Sequence, residues 1–114
     1  MATTTRQHGQ EATDASADEL CFRSAVDLAG LLARREVSAR EVMAAHLDRI
    51  ERINPTVNAI VTLDAEGALR AASVADEAFP GAGSLPPLWG LPVAVKDLVD
   101  TAGMRTTYGS PIFA

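Results

Sequence analysis

The segment LWGLPVAVKDLVDTAGMRTTYGSP, residues 88–111, holds the only lysine of the chain, Lys96. Every other basic side chain outside the two histidines is an arginine. Pro92 to Leu98, followed by a turn-forming Asp100-Thr-Ala-Gly103, is a strand candidate. Strand side chains alternate between faces. Val93, Val95 and Asp97 then point one way, and Ala94, Lys96 and Leu98 the other. Apolar residues on both faces describe a strand covered on both sides. The ordinary reading puts the Lys96 amine in water at a strand end, because lysine is rarely fully buried. The chemical reading starts from the choice of lysine over arginine. Arginine keeps its proton in a protein, whereas a desolvated lysine can give it up. A site that needs a neutral amine as base has to use the lysine. Asp97 faces away from Lys96 and need not pair with it.

Upstream of this segment the pattern is helical. Ser24 is placed to cap a helix with Asp27 in its first turn, where negative charge suits the helix dipole. Val26, Leu28, Leu31 and Leu32 give its apolar side, and it should end near Arg34 or Arg35. Ser38-Ala-Arg-Glu41 reads as a capping box for a second helix. Met43, Leu47 and Ile50 make its stripe, with Ile53 beside it, and Asn54-Pro55 should stop it. The tight connection predicts that these two helices pair antiparallel. Asn58 to Leu63 is β-branched and reads as a strand. Asp64 to Ala78 favours helix despite Gly67; Leu63, Ala68, Ala71, Ala72 and Ala75 suit close packing. FPGAGSLPP, residues 79–87, is a loop. Helix and strand in alternation give an α/β class.

The bulk properties close off several functions. A net charge of −5 argues against a nucleic-acid surface, which needs a basic patch. A single cysteine, Cys21, allows no internal disulfide and carries no catalytic signature. No apolar run approaches the roughly 18 residues of a membrane span. The polar opening MATTTRQHGQEATDASADEL lacks the features of a secretory signal. Residues 1–21 are therefore expected to be a disordered tail, and the protein is expected in the cytoplasm. His8 falls in the tail and His46 on a solvated helix face. Asp97 and Asp100 lack further ligands for a metal. Ser110 follows Gly109, but no Gly-x-Ser-x-Gly elbow is present. Trp89 is expected to be an apolar anchor.

WGLPVAVKDLVDTAGMRTTYGSPIF strongly resembles the amidase signature family, through Gly90, Pro92, Lys96, Asp97, Gly103, Thr106, Thr107, Gly109 and Ser110 in order and spacing. SAVDLAGLLARREVSAREVMAAHLDRIERINPTVNAIVTLD, residues 24–64, is similar to the helices and strand that precede that segment in the family. The resemblance spans residues 22–114. It implies an α/β fold with a mixed sheet covered by helices. It also implies a Ser–cis-Ser–Lys triad in which Lys96 is the catalytic lysine. The neutral amine takes a proton through the bridging serine, and the other serine attacks the amide carbonyl to form an acyl-enzyme. Water, or ammonia in amidotransferases, completes the cycle, with no metal and no organic cofactor. The substrate implied is a small-molecule amide, with no nucleic acid and no membrane as partner. In the family both serines lie in a Gly/Ser-rich segment after the lysine, and residues 1–114 contain none. The expectation is thus the N-terminal part of a longer amidase domain, residues 22–114, truncated and inactive alone. Two alternatives stay open: the A subunit of the tRNA-dependent amidotransferase, and a non-catalytic remnant. Leu98, where that protein usually has Asn, and the Gly109-Ser110 pair favour a general amidase.

Overall fold

The computed structural model describes residues 17–114. Most of the expected tail, residues 1–16, lies outside the described residues, while 17–21 are helical. This turn is docked on residues 45–52. Asp18 accepts from Arg49 at 3.2 Å and from Arg52 at 2.6 Å, and these guanidinium groups, Arg52 first, hold its carboxyl below the usual range. The Cys21 thiol donates to the Ala45 carbonyl at 3.5 Å.

Helix α1 spans Ala25–Ala33. The Ser24 hydroxyl accepts from the Asp27 amide at 3.1 Å, as the pattern predicts. At its far end the Arg35 amide bonds the Leu32 carbonyl and the Glu36 amide bonds the Leu31 carbonyl. This is the paired closure of a Schellman end. It puts Arg35 in the left-handed region at φ 54°, a place glycine would occupy without strain. Leu28 and Leu32 are buried, but Val26 is 81 % exposed. Two residues of helix turn about 200°, so Val26 cannot share the face of Leu28.

Helix α2 spans Ala39–Val57. The N–H groups that open a helix have no acceptor within it. Here all four find one. Ser38 N–H donates to the Glu41 carboxylate at 2.7 Å, and Glu41 N–H to the Ser38 hydroxyl at 3.0 Å. Between them, Ala39 N–H and Arg40 N–H donate to the two oxygens of Asp76 at 2.7 and 3.0 Å. The capping box is local and was expected; Asp76 arrives from the third helix. At the other end, α2 passes through Pro55 rather than stopping at Asn54. Proline in a last turn loses one backbone bond, and the Asn54 side chain offsets this by holding the chain beyond. It donates to the Ile60 carbonyl and accepts from the Ile60 amide, both at 2.9 Å. Asn58 then ends the helix in left-handed geometry, φ 48°. The innermost residues of α2 are Ala39, Val42 and Ala45; Met43, Leu47 and Ile50 flank them half-buried.

Helix α3 spans Ala65–Glu77, capped by Asp64 accepting from Gly67 N–H at 2.9 Å. A Cβ at Gly67 would fall on that carboxylate, so the glycine that weakens the helix on propensity is what admits its cap. Ala72 is buried, Ala68 and Ala75 are half-buried, and Ala71 and Leu63 are exposed. The closest helix pair is α2 with α3, which the tight α1–α2 connection did not suggest. Leu28 and Leu32 of α1 join Ala39 and Val42 of α2 and Ala72 of α3 in one core, with Trp89 and Leu91 packed on it. Trp89 meets Phe79 edge-on at 5.4 Å, the anchor its position predicts.

Neither expected strand forms among the described residues, whose regular structure is helical. Residues 58–63 and 92–96 are irregular, and 97–98 make a turn. A strand satisfies its backbone through a neighbour's ladder, and these segments have no strand beside them. The sole bridge described joins Thr101 and Met104. The expected α/β sheet is therefore absent from this part of the molecule. The 88–111 segment is instead seated at Gly90. Its backbone is left-handed (φ 71°), and a Cβ there would lie 3.2 Å from that of Ala39 and 3.3 Å from Leu32 Cδ1.

Two outcomes test this arrangement. Asp76→Ala strips acceptors from two amides of α2 and should cost about 1–2 kcal/mol, the scale of a lost helix cap; an unchanged urea midpoint would show the contact to be idle. Gly90→Ala adds both strain and crowding and should cost about 1–3 kcal/mol, read as a lower melting temperature.

Candidate functional site

Lys96 sits on the turn that ends the irregular 92–96 stretch. Its carbonyl accepts from Leu98 N–H at 2.7 Å and Val99 N–H at 3.0 Å. Its side chain is exposed, as are Val93 and Val95 at 70 % and 53 %. The apolar two-faced strand around the amine is thus not built from residues 17–114. The reason is the same as for the missing ladder, since burial on two faces needs elements that these residues do not supply. Among the described residues no carboxylate forms an ion pair with Lys96.

Asp97 is the organised member of the pair. Its carboxylate accepts from Thr107 N–H at 2.8 Å, from the Thr107 hydroxyl, and from Gly109 N–H at 3.3 Å. These donors, the Thr107 hydroxyl first, hold the Asp97 carboxyl below its usual range. Thr107 is 7 % exposed, buried among exposed neighbours. Two further links run parallel. Thr106 donates its hydroxyl to the Val99 carbonyl at 3.3 Å, and the Tyr108 hydroxyl donates to Asp100. The latter bond raises the Tyr108 phenol above its ordinary value. Tyr108 and Gly109 are both left-handed, φ 54° and 67°. Thr62 ties this unit to the α2–α3 connection by donating to the Arg105 carbonyl at 3.0 Å.

So 96–100 and 106–110 form one cross-linked turn, and Lys96, Asp97, Thr106, Thr107 and Gly109 of the motif come together there. Ser110 is at its edge, its hydroxyl accepting from Ile112 N–H at 3.3 Å. The reading that Asp97 faces away from Lys96 left its partner unassigned. The signal was a donor-rich Thr-Thr-x-Gly ten residues on, which no local period connects to an aspartate. His46 is half-buried rather than solvated, and its Nδ1 donates to the Val42 carbonyl at 2.7 Å. Burial pushes the Cys21 thiol up, against a reactive thiolate. Two clefts, of about 120 and 340 Å³, lie around the α1–α2 connection, away from Lys96. Among the described residues no three His, Cys, Asp or Glu side chains converge as a metal site, and no helix is long and apolar enough to cross a membrane.

The Amidase family model matches residues 41–114, a span that contains most of α2 and the whole cross-linked turn. The chain belongs to the amidase family. It is similar to proteins named as the A subunit of glutamyl-tRNA(Gln) amidotransferase. The one from Acidothermus cellulolyticus is 50 % identical over 94 residues, covering 82 % of this chain and 19 % of the relative. Those from Salinispora arenicola and Salinispora tropica are 50 % and 52 % identical over 96 residues, covering 84 % of this chain and 20 % of each relative. The chain thus spans about a fifth of the length of these relatives. No solved structure matches it. These relatives carry the name of the amidotransferase alternative rather than of a general amidase. That name includes a tRNA, which sets it against the expectation, drawn from net charge, of no nucleic-acid partner.

The Asp97 brace has a defined pH response. With its folded pKa below the unfolded value of ~3.9, its contribution is complete above that value and lost as pH falls through the lower folded one. The amide resonances of Thr107 and Gly109 should stay fixed from pH 7 to about 5 and move only in stronger acid. In Asp97→Asn they should be flat throughout. A wild-type midpoint above the ordinary carboxylate range would contradict the donor arrangement.

Proposed function

We propose that this chain is the N-terminal part, residues 22–114 within a longer domain, of an enzyme that breaks the C–N bond of a carboxamide, and that Lys96 is its base. The observation that carries the reading is the family match over 41–114, with the chain's one lysine at the start of the ordered turn. Two serines from the rest of the protein complete the triad. The neutral amine draws a proton through the bridging serine. The second serine attacks the carbonyl, backbone N–H groups take the charge on oxygen, and ammonia or an amine leaves. Water then releases the carboxylate. The strand reading of 92–98 returns here as part of the proposal: the remaining polypeptide supplies the sheet that covers Val93 and Val95 and desolvates Lys96. The reaction uses no metal or organic cofactor and proceeds in the cytoplasm on a small amide.

A second reading is favoured by the roughly half-identical relatives. In it the nitrogen is not released but transferred to glutamyl-tRNA(Gln), and the chain belongs to the A subunit of that amidotransferase. Leu98 and Gly109-Ser110 are the features that favour the first.

The test is turnover of small carboxamides by the full polypeptide the gene encodes, with free ammonia and amidated tRNA followed separately. Ammonia formed without tRNA supports the general amidase; amidated tRNA as the sole product supports the second reading. Lys96→Arg keeps the charge and loses the base. Turnover should fall about 10²- to 10⁴-fold, while the fold stays largely intact because the charge is kept. Near-normal kcat in that variant would remove Lys96 from the mechanism.

A further inference from the structure

We infer that Asp97 is the positioning residue of this site: through Thr107 and Gly109 it clamps the 106–110 segment onto the turn that presents Lys96. The catalytic half of this inference rests on the amide-cleaving reading above; the clamp itself does not.

Little else could order this turn. Between residues 92 and 110 there is no helix and no ladder, only the single bridge at Thr101 and Met104. The links between 96–100 and 106–110 are made by side chains, and three of them end on the Asp97 carboxylate. The Thr107 hydroxyl donates to Asp97 while accepting from Gly109 N–H at 3.3 Å, so the three groups act as a closed unit. Thr107 is the buried polar side chain of the described residues. Burial of a hydroxyl is costly without a partner, and Asp97 is that partner. The clamp also brackets Tyr108, whose left-handed backbone (φ 54°) persists only where its surroundings hold it. Asp97 receives three donors and forms no ion pair with Lys96 among the described residues. Its effect on the amine is transmitted through the chain, since Lys96 is its immediate neighbour and the Lys96 carbonyl closes the same turn.

The experiment has two arms. In the first, hydrogen exchange is measured on this chain in wild type, Asp97→Asn and Asp97→Glu. Loss of the carboxylate should raise exchange at Thr107 and Gly109 tenfold or more, leave Leu32 and Val42 unchanged, and be partly restored by glutamate. Unchanged protection at Thr107 overturns the clamp. In the second, the full polypeptide is assayed on whichever carboxamide the wild type hydrolyses. Asp97→Asn and Thr107→Val should each lower kcat tenfold or more with KM within twofold. The double variant should be no worse than either, as expected of groups acting as one unit. Additive losses, or a change confined to KM, overturn the positioning role. If the wild type hydrolyses no carboxamide, the amide-cleaving reading and the catalytic half fall together, and the exchange arm alone decides the clamp.

Discussion

The first turn of α2 is the junction on which the described structure depends. Four backbone donors converge there, and a helix cannot bury that end while they lack acceptors. Ser38 and Glu41 satisfy two of them within four residues of chain. Asp76 satisfies the other two, and in doing so brings the end of α3 to the start of α2. Arg40 adds a second tie across the same junction, donating to the Ser73 hydroxyl at 2.8 Å. With that end sealed, Ala39 and Val42 can be fully buried. They form the floor on which Leu32, Ala72 and the Trp89-Gly90-Leu91 entry to the lysine segment pack. Polar satisfaction and apolar burial are one event here, because the small residues that let the elements approach are at the capped end.

What could be read from the sequence depends on the distance over which each feature is determined. The helix starts at Ser24 and Ser38 were legible, because each acts on an amide three residues away. The course of α2 past Asn54 was not, because the Asn54 side chain compensates by bonding Ile60, beyond the helix. The tie between α2 and α3 was not legible either, since Asp76 finds its amides thirty-seven and thirty-six residues back in the chain. The strands failed for a further reason. Valine-containing stretches such as 93–95 announce a preference for a pleated, covered surface, but a sheet is a property of several segments at once, and 58–63 and 92–98 do not pair with each other.

The candidate site divides along the same line. Lys96 stood out by residue type alone, as a deprotonatable amine in a chain that otherwise uses arginine. The dry surroundings such an amine needs were expected from the apolar run and are not present around it here. Asp97 shows the converse. Nothing in its residue type marked it, yet it is the most fully engaged side chain of the segment, and its partners became visible only when 97 and 107 were brought into contact.

The seat at Gly90 has a consequence for how such a chain is made. Ribosomes release residues from the N-terminus, and the hydrogen bonds that tie α3 to α2 close loops of 29 to 37 residues, shorter than the 51 between Ala39 and Gly90. Short loops close at modest entropic expense and early. Leu32, Ala39 and the core they line are therefore synthesised and within reach before Gly90 emerges. The lysine turn meets a formed platform as it leaves the tunnel, and its direction relative to the helices is set by a left-handed glycine pressed against two side chains.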